Sequence, residues 1–306
     1  MNINEQIQSG NIVATQNQEG ALGFIFWYSV SSNIEVTRED LGDLFKNIGI
    51  DENWLPNEIR PSDAFRRATS EIQRKRVPTS DPNINRNYLS REVYSDTQMV
   101  QRNIVIENVD KQGKRLDYES NATVIELDKE NVEFKVISKP GEDAARELAY
   151  EAKHKFDKYI TYYSSQQLRV MVSKFLSSLA PTQVRPNGGV YFIPINFADD
   201  LSKLQTLCEE LDSEGVSIPL YDSSDNRNMV LRKLKDDLHT AIQRLETLKQ
   251  SNASRAQLQE ALKEAKRVGD TYTDYRKNLK IDVSELEDYR DDLRSQYIEV
   301  LDRITK

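Results

Sequence analysis

The sequence of 306 residues contains one cysteine, so it has no internal disulfide framework. Without disulfides, a reducing compartment is the expected environment. The cysteine, Cys208, lies in an apolar helical pattern with Leu204 and Leu207. This pattern predicts a buried structural thiol rather than a catalytic nucleophile.

Histidine is almost as scarce, since only His154 and His239 occur, far apart and among charged residues. We expect both to be exposed on helices. No Gly-x-Ser-x-Gly elbow accompanies them, which argues against a Ser/His/Asp arrangement, and a zinc site needs more ligands at short spacing. Gly188-Gly189 stands at the front of the predicted strand 188–194, the reverse of the order in phosphate-binding loops, and is interpreted as a turn that leads into the strand. We therefore predict a protein that is not an enzyme and holds no cofactor or metal.

A long apolar segment is also missing. The longest run, residues 21–30, is far shorter than the roughly 20 residues that span a bilayer. Charged residues make up 30% of the chain and hydrophobic residues 38%, with a formal net charge of −8. We expect no membrane partner. The net charge of the chain does not imply a strongly acidic or strongly basic partner.

The length favours two domains behind a short leader. Residues 1–20 are rich in Asn and Gln and are predicted to be flexible. The pattern of apolar and turn residues in 21–224 predicts a mixed α/β body, with an antiparallel β-meander at 101–137. Strands are further predicted at 23–30, 188–194 and 216–220, and helices at 38–49, 64–75, 142–179 and 199–211. The predicted fold class is therefore α+β.

The sequence pattern of residues 225–306 predicts a separate helical module. This segment contains no proline, and Gly269 is its only glycine. Apolar residues step by three and four, as in a heptad seam. Polar breaks at 250–252 and 280–282 predict three helices, antiparallel because the loops are short. Ser254-Arg255-Ala256-Gln257 predicts a capping box at the start of the second helix. They can pack within one chain or between chains, and both alternatives stay open. The predicted oligomer or partner interface comprises Leu231, Leu234, Leu238, Leu245, Leu258, Tyr272, Tyr275, Leu286, Tyr289 and Leu293.

One stretch, residues 60–102, is distinctly basic, with nine Lys or Arg against five Asp or Glu. Its middle, residues 77–88, is predicted to be a loop. The candidate binding residues are Arg66, Arg67, Arg74, Lys75 and Arg76, on or just after one short helix. A shared helix face could bind nucleic acid or an acidic protein through phosphate or carboxylate contacts. The alternative is that these side chains pair internally with Asp63, Glu71 and other acids.

Three sequence blocks resemble an uncharacterised family associated with bacteriophages, plasmids and other mobile elements. They are GFIFWYSV at 23–30, PSDAFRRATS at 61–70 and GGVYFIP at 188–194. The resemblance spans about residues 20–220 and excludes the helical tail. It implies a mobile-element accessory role in the cytoplasm of a host bacterium and carries no known activity.

The leading hypothesis is a non-enzymatic accessory protein that acts by protein–protein interaction and oligomerisation, with a host protein or a second copy as partner. A counter-defence inhibitor of a host complex is one form of it. The alternatives are a nucleic-acid-binding protein that uses the segment 60–102, and a metal-dependent nuclease with dispersed carboxylate ligands.

Overall fold

The computed structural model describes residues 20–185, 189–279 and 281–305. The predicted leader falls outside this range except for Gly20. Contacts divide the chain into two compact units, described separately below. Unit 1 comprises the described parts of 1–34, 42–55 and 165–306, and unit 2 comprises 35–41 and 56–164. The predicted boundaries of 21–224 and 225–306 stay predictions.

The α+β fold class is confirmed, with antiparallel sheets and a C-terminal helical module. The described strands are β1 (Ala21–Ser29), β2 (Arg74–Pro78), β3 (Ile84–Ser95), β4 (Met99–Asp110), β5 (Arg115–Asp128), β6 (Glu133–Ser138), β7 (Thr182–Gln183), β8 (Val190–Pro194) and β9 (Glu214–Tyr221). The described α-helices are α1 (Arg38–Ile48), α2 (Pro61–Glu71), α3 (Asp143–Thr161), α4 (Ser165–Ser177), α5 (Ala198–Glu210), α6 (Ser224–Gln250), α7 (Arg255–Asp274) and α8 (Glu287–Thr305).

The sheet of unit 1 has the order β7-β8-β1-β9, with antiparallel neighbours. Its strand β1 is aromatic and β-branched, as expected for a strand with neighbours on both sides. Gly23 lies so close to β8 that an added Cβ would stand 2.2 Å from the carbonyl oxygen of Ile193. The predicted buried thiol is confirmed, since Cys208 is 1% exposed and desolvation by burial raises its pKa to about 12.

The three predicted C-terminal helices are also present in unit 1, and each of α6, α7 and α8 packs against the other two. The predicted capping box is confirmed at α7, where Ser254 and Gln257 exchange hydrogen bonds with each other's backbone N–H. A π-helical turn, Tyr275–Leu279, follows α7. The apolar stripes meet inside one chain, so the intramolecular alternative describes this bundle.

The sheet of unit 2 has the order β2-β3-β4-β5-β6 and is antiparallel throughout, which confirms the predicted meander. The helices α2 and α3 cover one face. There the rings of Phe65, Phe134 and Phe156 pack with centroids 5.3–6.4 Å apart. Unit 2 therefore has its own aromatic core.

Two local predictions in unit 2 were wrong. The helix predicted at 64–75 ends at Glu71, and the chain turns into β2 at Arg74. The loop predicted at 77–88 is mostly strand, because β3 begins at Ile84. Cross-strand pairing and the burial of Tyr88 outweigh the turn preference of the local Asn, Ser and Pro residues.

Within the described residues, no helix is long and apolar enough to cross a membrane. The same part of the chain contains no group of three His, Cys, Asp or Glu side chains placed to hold a metal ion. His154 and His239 are exposed on α3 and α6, as predicted.

Candidate interaction site

The five predicted cationic binding residues lie on two different elements of unit 2. Arg66 and Arg67 are on α2, whereas Arg74, Lys75 and Arg76 are on β2. The predicted common helix face of residues 67 and 74 is therefore wrong. An irregularity in the β2–β3 pairing places Lys75 and Arg76 outside the ladder, and Arg76 adopts a φ of 57°.

Arg66 lies beside an acidic side chain of β3. Its Nε donates to Glu92 at 2.9 Å and one of its terminal nitrogens donates to Ser95 at 3.2 Å. The hydrogen bond with Glu92 raises the pKa of Arg66, and the same bond lowers the pKa of Glu92. Asp63 adds a weaker contact at 4.0 Å. Arg66 thus ties α2 to the sheet.

Glu71 is the centre of a second cluster, between α2 and α3. Its carboxylate accepts from Arg67 at 3.1 Å, from Lys155 at 3.3 Å and from the Tyr159 hydroxyl. The Arg67 guanidinium also lies 3.8 Å from the centroid of the Tyr159 ring. Burial alone would raise the pKa of Glu71, but these hydrogen bonds bring it below its ordinary value.

One terminal nitrogen of Arg74, Nη2, donates to both carboxylate oxygens of Glu151 in α3, at 2.9 and 3.0 Å. The three arginines at 66, 67 and 74 therefore match the alternative of internal pairing with acids. Lys75 and Arg76 are exposed and form no ion pair among the described residues. A nucleic-acid or acidic-partner role for the five cations stays a prediction.

The ten residues of the predicted helical interface lie in or beside the three-helix bundle and face one another inside one chain. Leu231 and Tyr289 are partly buried, and the other eight are buried: Leu234, Leu238, Leu245, Leu258, Tyr272, Tyr275, Leu286 and Leu293. An interface that uses these side chains would first require the helices to separate. Their interface role stays a prediction.

An exposed edge is present instead in the sheet of unit 2. Strand β5 is 14 residues long, but β6 pairs only with its residues 123–128. On the side away from β4, residues 115–121 have no strand partner within the described part of the chain. Leu116 is 53% and Tyr118 46% exposed, and we call residues 115–121 the β5 edge.

Polar contacts shield parts of the β5 edge. Lys139 donates to Glu119 at 2.6 Å and to Asn121 at 2.7 Å. The carboxylate of Asp117 accepts from the backbone N–H of Tyr118 at 2.8 Å. Charged side chains commonly protect an edge strand in this way. Pairing with another strand would replace the bond between Asp117 and Tyr118.

The β3–β4 hairpin provides a useful comparison, because Val93 and Tyr94 are as exposed as Leu116 and Tyr118. Residues 89–95 of β3 also have no strand partner on the side away from β4 within the described part of the chain, but side chains of unit 2 bind residues of this segment. Arg66 binds Glu92 and Ser95, and Gln73 accepts from the backbone N–H of Ser90 at 3.3 Å. Exposed apolar side chains alone therefore do not define a free edge.

Residues 21–306 match the model of a family of unknown function, DUF6744. The chain belongs to this family. The match includes the C-terminal helices, which the resemblance noted in the sequence did not cover. The chain has no match among curated proteins or among solved structures.

The β5 edge was not predicted, because only the part of the strand around Val124–Leu127 shows a clear apolar pattern. The usable signal is weaker: Leu116 and Tyr118 alternate with charged residues directly after the Asp110–Gly113 turn. The unequal lengths of β5 and β6 then leave this segment unpaired.

Proposed function

We propose that this DUF6744 protein is a non-enzymatic accessory protein of phages or other mobile elements that acts by protein–protein interaction in the cytoplasm of a bacterial host. The first step of this interaction is self-association of the protein through the β5 edge. The observation that supports it most directly is the unpaired strand segment with exposed Leu116 and Tyr118. Addition of a strand to such an edge supplies backbone hydrogen bonds, while alternate side chains give specificity.

The occupant of the edge is a second copy, because the sequence of the edge is self-complementary. In an antiparallel two-fold pairing centred on Asp117, Arg115 of one copy lies opposite Glu119 of the other. In the same register, Leu116 lies opposite Tyr118. Opposite charges and apolar–aromatic pairs across strands each contribute about 0.2–1 kcal/mol. Only the central pair, Asp117 facing Asp117, is unfavourable.

The expected dimer is weak. The pairing joins residues 115–119 of each copy, so it buries an area at the low end of specific interfaces, below about 1,200 Å². Sedimentation velocity over a range of concentrations should show a monomer that converts reversibly to a dimer. A wild-type protein that stays monomeric at the highest attainable concentration contradicts the proposal.

Paired variants locate the interface. Leu116→Lys with Tyr118→Lys should abolish the dimer, because two lysines would face each other in place of each of the two apolar–aromatic pairs. Val93→Lys with Tyr94→Lys makes the same chemical change on the other hairpin and should leave the dimer intact. Equal loss in both variants would show that self-association does not depend on the β5 edge.

The self-complementary register also predicts a variant with a tighter dimer. Asp117→Asn keeps a hydrogen-bond acceptor for Tyr118 and removes the repulsion between the two central carboxylates. The dimer should become tighter by up to about fivefold, since like charges directly opposite each other are destabilising by amounts similar to a favourable pair. A weaker dimer in this variant would exclude the register.

A more specific form of the proposal is inhibition of a host defence complex. It is supported by the resemblance of the blocks 23–30, 61–70 and 188–194 to proteins of bacteriophages and plasmids. Phage plating should rise in bacteria that carry defence systems when the wild type is expressed. The gain should disappear with the Leu116→Lys, Tyr118→Lys variant, while no gain with the wild type counts against inhibition.

A further inference from the structure

A short segment of unit 1, residues 180–184, follows α4 and forms the outer edge of the sheet, and we call it the strap. It contains β7, the two-residue strand that pairs with β8. Next to β7, the backbone N–H of Val184 donates to the carbonyl oxygen of Val190 at 3.0 Å. Because so short a strand makes few backbone hydrogen bonds, the strap depends on side chains of the helical bundle for its position.

Two side chains from α7 and the turn that follows it hold the first half of the strap. Arg267 donates to the carbonyl oxygen of Pro181 at 3.1 Å. The hydroxyl of Tyr275 donates to the carbonyl oxygen of Ala180 at 3.1 Å and forms a second hydrogen bond with the hydroxyl of Thr182 at 2.8 Å. Tyr275 is fully buried, so loss of its hydroxyl would leave both groups of the strap without this partner.

The backbone at the start of the strap is strained. Ala180 adopts a φ of 47°, in the left-handed region that residues other than glycine rarely adopt. Such a conformation persists where surrounding contacts hold it. Release of the strap from Arg267 and Tyr275 would let Ala180 relax, which favours an open state.

The second half of the strap contacts a carboxylate of α6. Asp237 accepts from the backbone N–H of Gln183. The titratable and charged side chains that act on this carboxylate are Arg267 and Glu264 of α7, Tyr275, and Asp236 of its own helix. Desolvation outweighs the attraction of Arg267 and raises the pKa of Asp237 to about 6. Charge on Asp237 therefore disfavours the closed strap.

Two other titratable groups near this site do not explain a response in the same pH range. Glu264 has a lowered pKa because Arg267 donates hydrogen bonds to it, so it is mainly charged above pH 4.5. His239 of α6 lies beside Tyr289 of α8, with ring centroids 6.5 Å apart. It is two positions from Asp237, and residues two apart do not face the same side of a helix.

We propose that the strap is a conformational switch that opens more readily at neutral pH than in acid. In the open state, residues 180–184 leave α6 and α7, and β8 loses its outer strand partner at Tyr191 and Phe192. Opening lets water reach Asp237, which lowers the cost of its charge. The closed strap is therefore most stable below the ordinary pKa of an aspartic acid, and this stability is lost as the pH rises to about 6. The strap belongs to unit 1 and is independent of the β5 edge in unit 2.

Amide hydrogen exchange of the full chain, followed by NMR, tests the proposal. The N–H of Val184 is bonded to Val190 and not to Asp237, so it reports on the strap in every variant. Its protection factor should fall by about tenfold between pH 4.5 and 7, since a shift of one pKa unit corresponds to a tenfold change. Amides of the central strand β1 should be more strongly protected, because they exchange through global unfolding. A constant protection factor at Val184, or one equal to that of β1, would overturn the proposal.

A matched pair of variants identifies the group that responds. Asp237→Asn keeps an acceptor for the N–H of Gln183 and removes the charge, so the protection factor of Val184 should be the same at both pH values. Asp236→Asn makes the same change at the neighbouring exposed position and should retain the wild-type fall. A fall of the same size in Asp237→Asn would contradict the switch.

Tyr275→Phe tests the hydrogen bonds of the strap separately from the charge of Asp237. It should lower the protection factor of Val184 by about fivefold at both pH values, because the bonds to Ala180 and Thr182 are lost. The response to pH should stay the same, and amides of β1 measure any global loss of stability. Unchanged protection of Val184 in this variant would show that the bundle does not hold the strap closed.

Discussion

Leu238 in α6 and Leu116 in β5 are leucines on regular elements, yet the first is fully buried and the second is 53% exposed. In unit 1, the apolar stripes of three helices cover one another. In unit 2, α2 and α3 cover one face of the sheet, but β5 extends beyond β6 and leaves an unpaired edge. Apolar side chains of unit 1 therefore stabilise the fold, whereas those at the β5 edge are available to a partner.

The largest expected effect is a loss of stability in the bundle. Leu238→Ala should lower the free energy of unfolding by about 3 kcal/mol, because it leaves a cavity among fully buried side chains. Leu116→Ala makes the same change at the β5 edge and should cost less than about 0.5 kcal/mol. Urea unfolding of the two variants measures the difference, and equal losses would contradict the contrast between the units.

The next effect concerns a carboxyl of unit 1. Desolvation by burial raises the pKa of Asp237 in α6 to about 6, despite the nearby Arg267. A raised folded-state pKa means that the contribution of Asp237 to stability falls as pH rises from near its ordinary pKa to about 6. Asp237→Asn should remove this loss and stabilise the protein by about 2 kcal/mol above pH 7.

The control for Asp237 is its neighbour Asp236, which contacts Lys233 on the exposed face of α6 at 3.6 Å. Asp236→Asn should change stability by less than about 0.5 kcal/mol at every pH. Denaturant unfolding between pH 4 and 8 distinguishes the two. A difference in stability between wild type and Asp237→Asn that stays constant across this interval would contradict the raised pKa of Asp237.

A smaller effect is expected at Glu71, the acceptor of Arg67, Lys155 and Tyr159 in unit 2. Because the pKa of Glu71 is lowered, its charged carboxylate stabilises the folded protein at neutral pH. This stabilisation is lost as the pH falls through the lowered pKa. Glu71→Gln should cost about 1 kcal/mol at pH 7, since the cluster is partly exposed and screened by solvent. Unfolding curves of wild type and variant that converge in acid would support this role.

The smallest effect is expected at Arg76, where φ is 57°. Arg76→Gly should stabilise unit 2 by up to about 1 kcal/mol, because glycine adopts this conformation without steric cost. Lys75→Gly, at the neighbouring exposed position, serves as the control and should be neutral or destabilising. Thermal unfolding measures both, and a destabilised Arg76→Gly variant would show that the arginine side chain contributes a contact of its own.

The elements with strong local signals were predictable from sequence. The aromatic run at 23–30 predicted β1, and Ser254 with Gln257 predicted the start of α7. The stripes of α6, α7 and α8 were equally clear, but periodicity does not tell whether the partner helix belongs to the same chain. That distinction depends on loop geometry and packing.

The features that depend on pairing between distant segments were not predictable. Arg74–Pro78 is a strand because β3 offers it hydrogen bonds, although the preceding residues favour a helix. The β5 edge exists because β6 ends early. None of these relationships leaves a local pattern in the sequence.

Hydrogen exchange measured at several protein concentrations tests the central contrast between the units most directly. Amides of residues 115–121 should gain protection as the concentration rises, while those of α6, α7 and α8 should be protected equally throughout. Protection of the helices that increases with concentration, with no change at 115–121, would contradict the account and place self-association in the bundle.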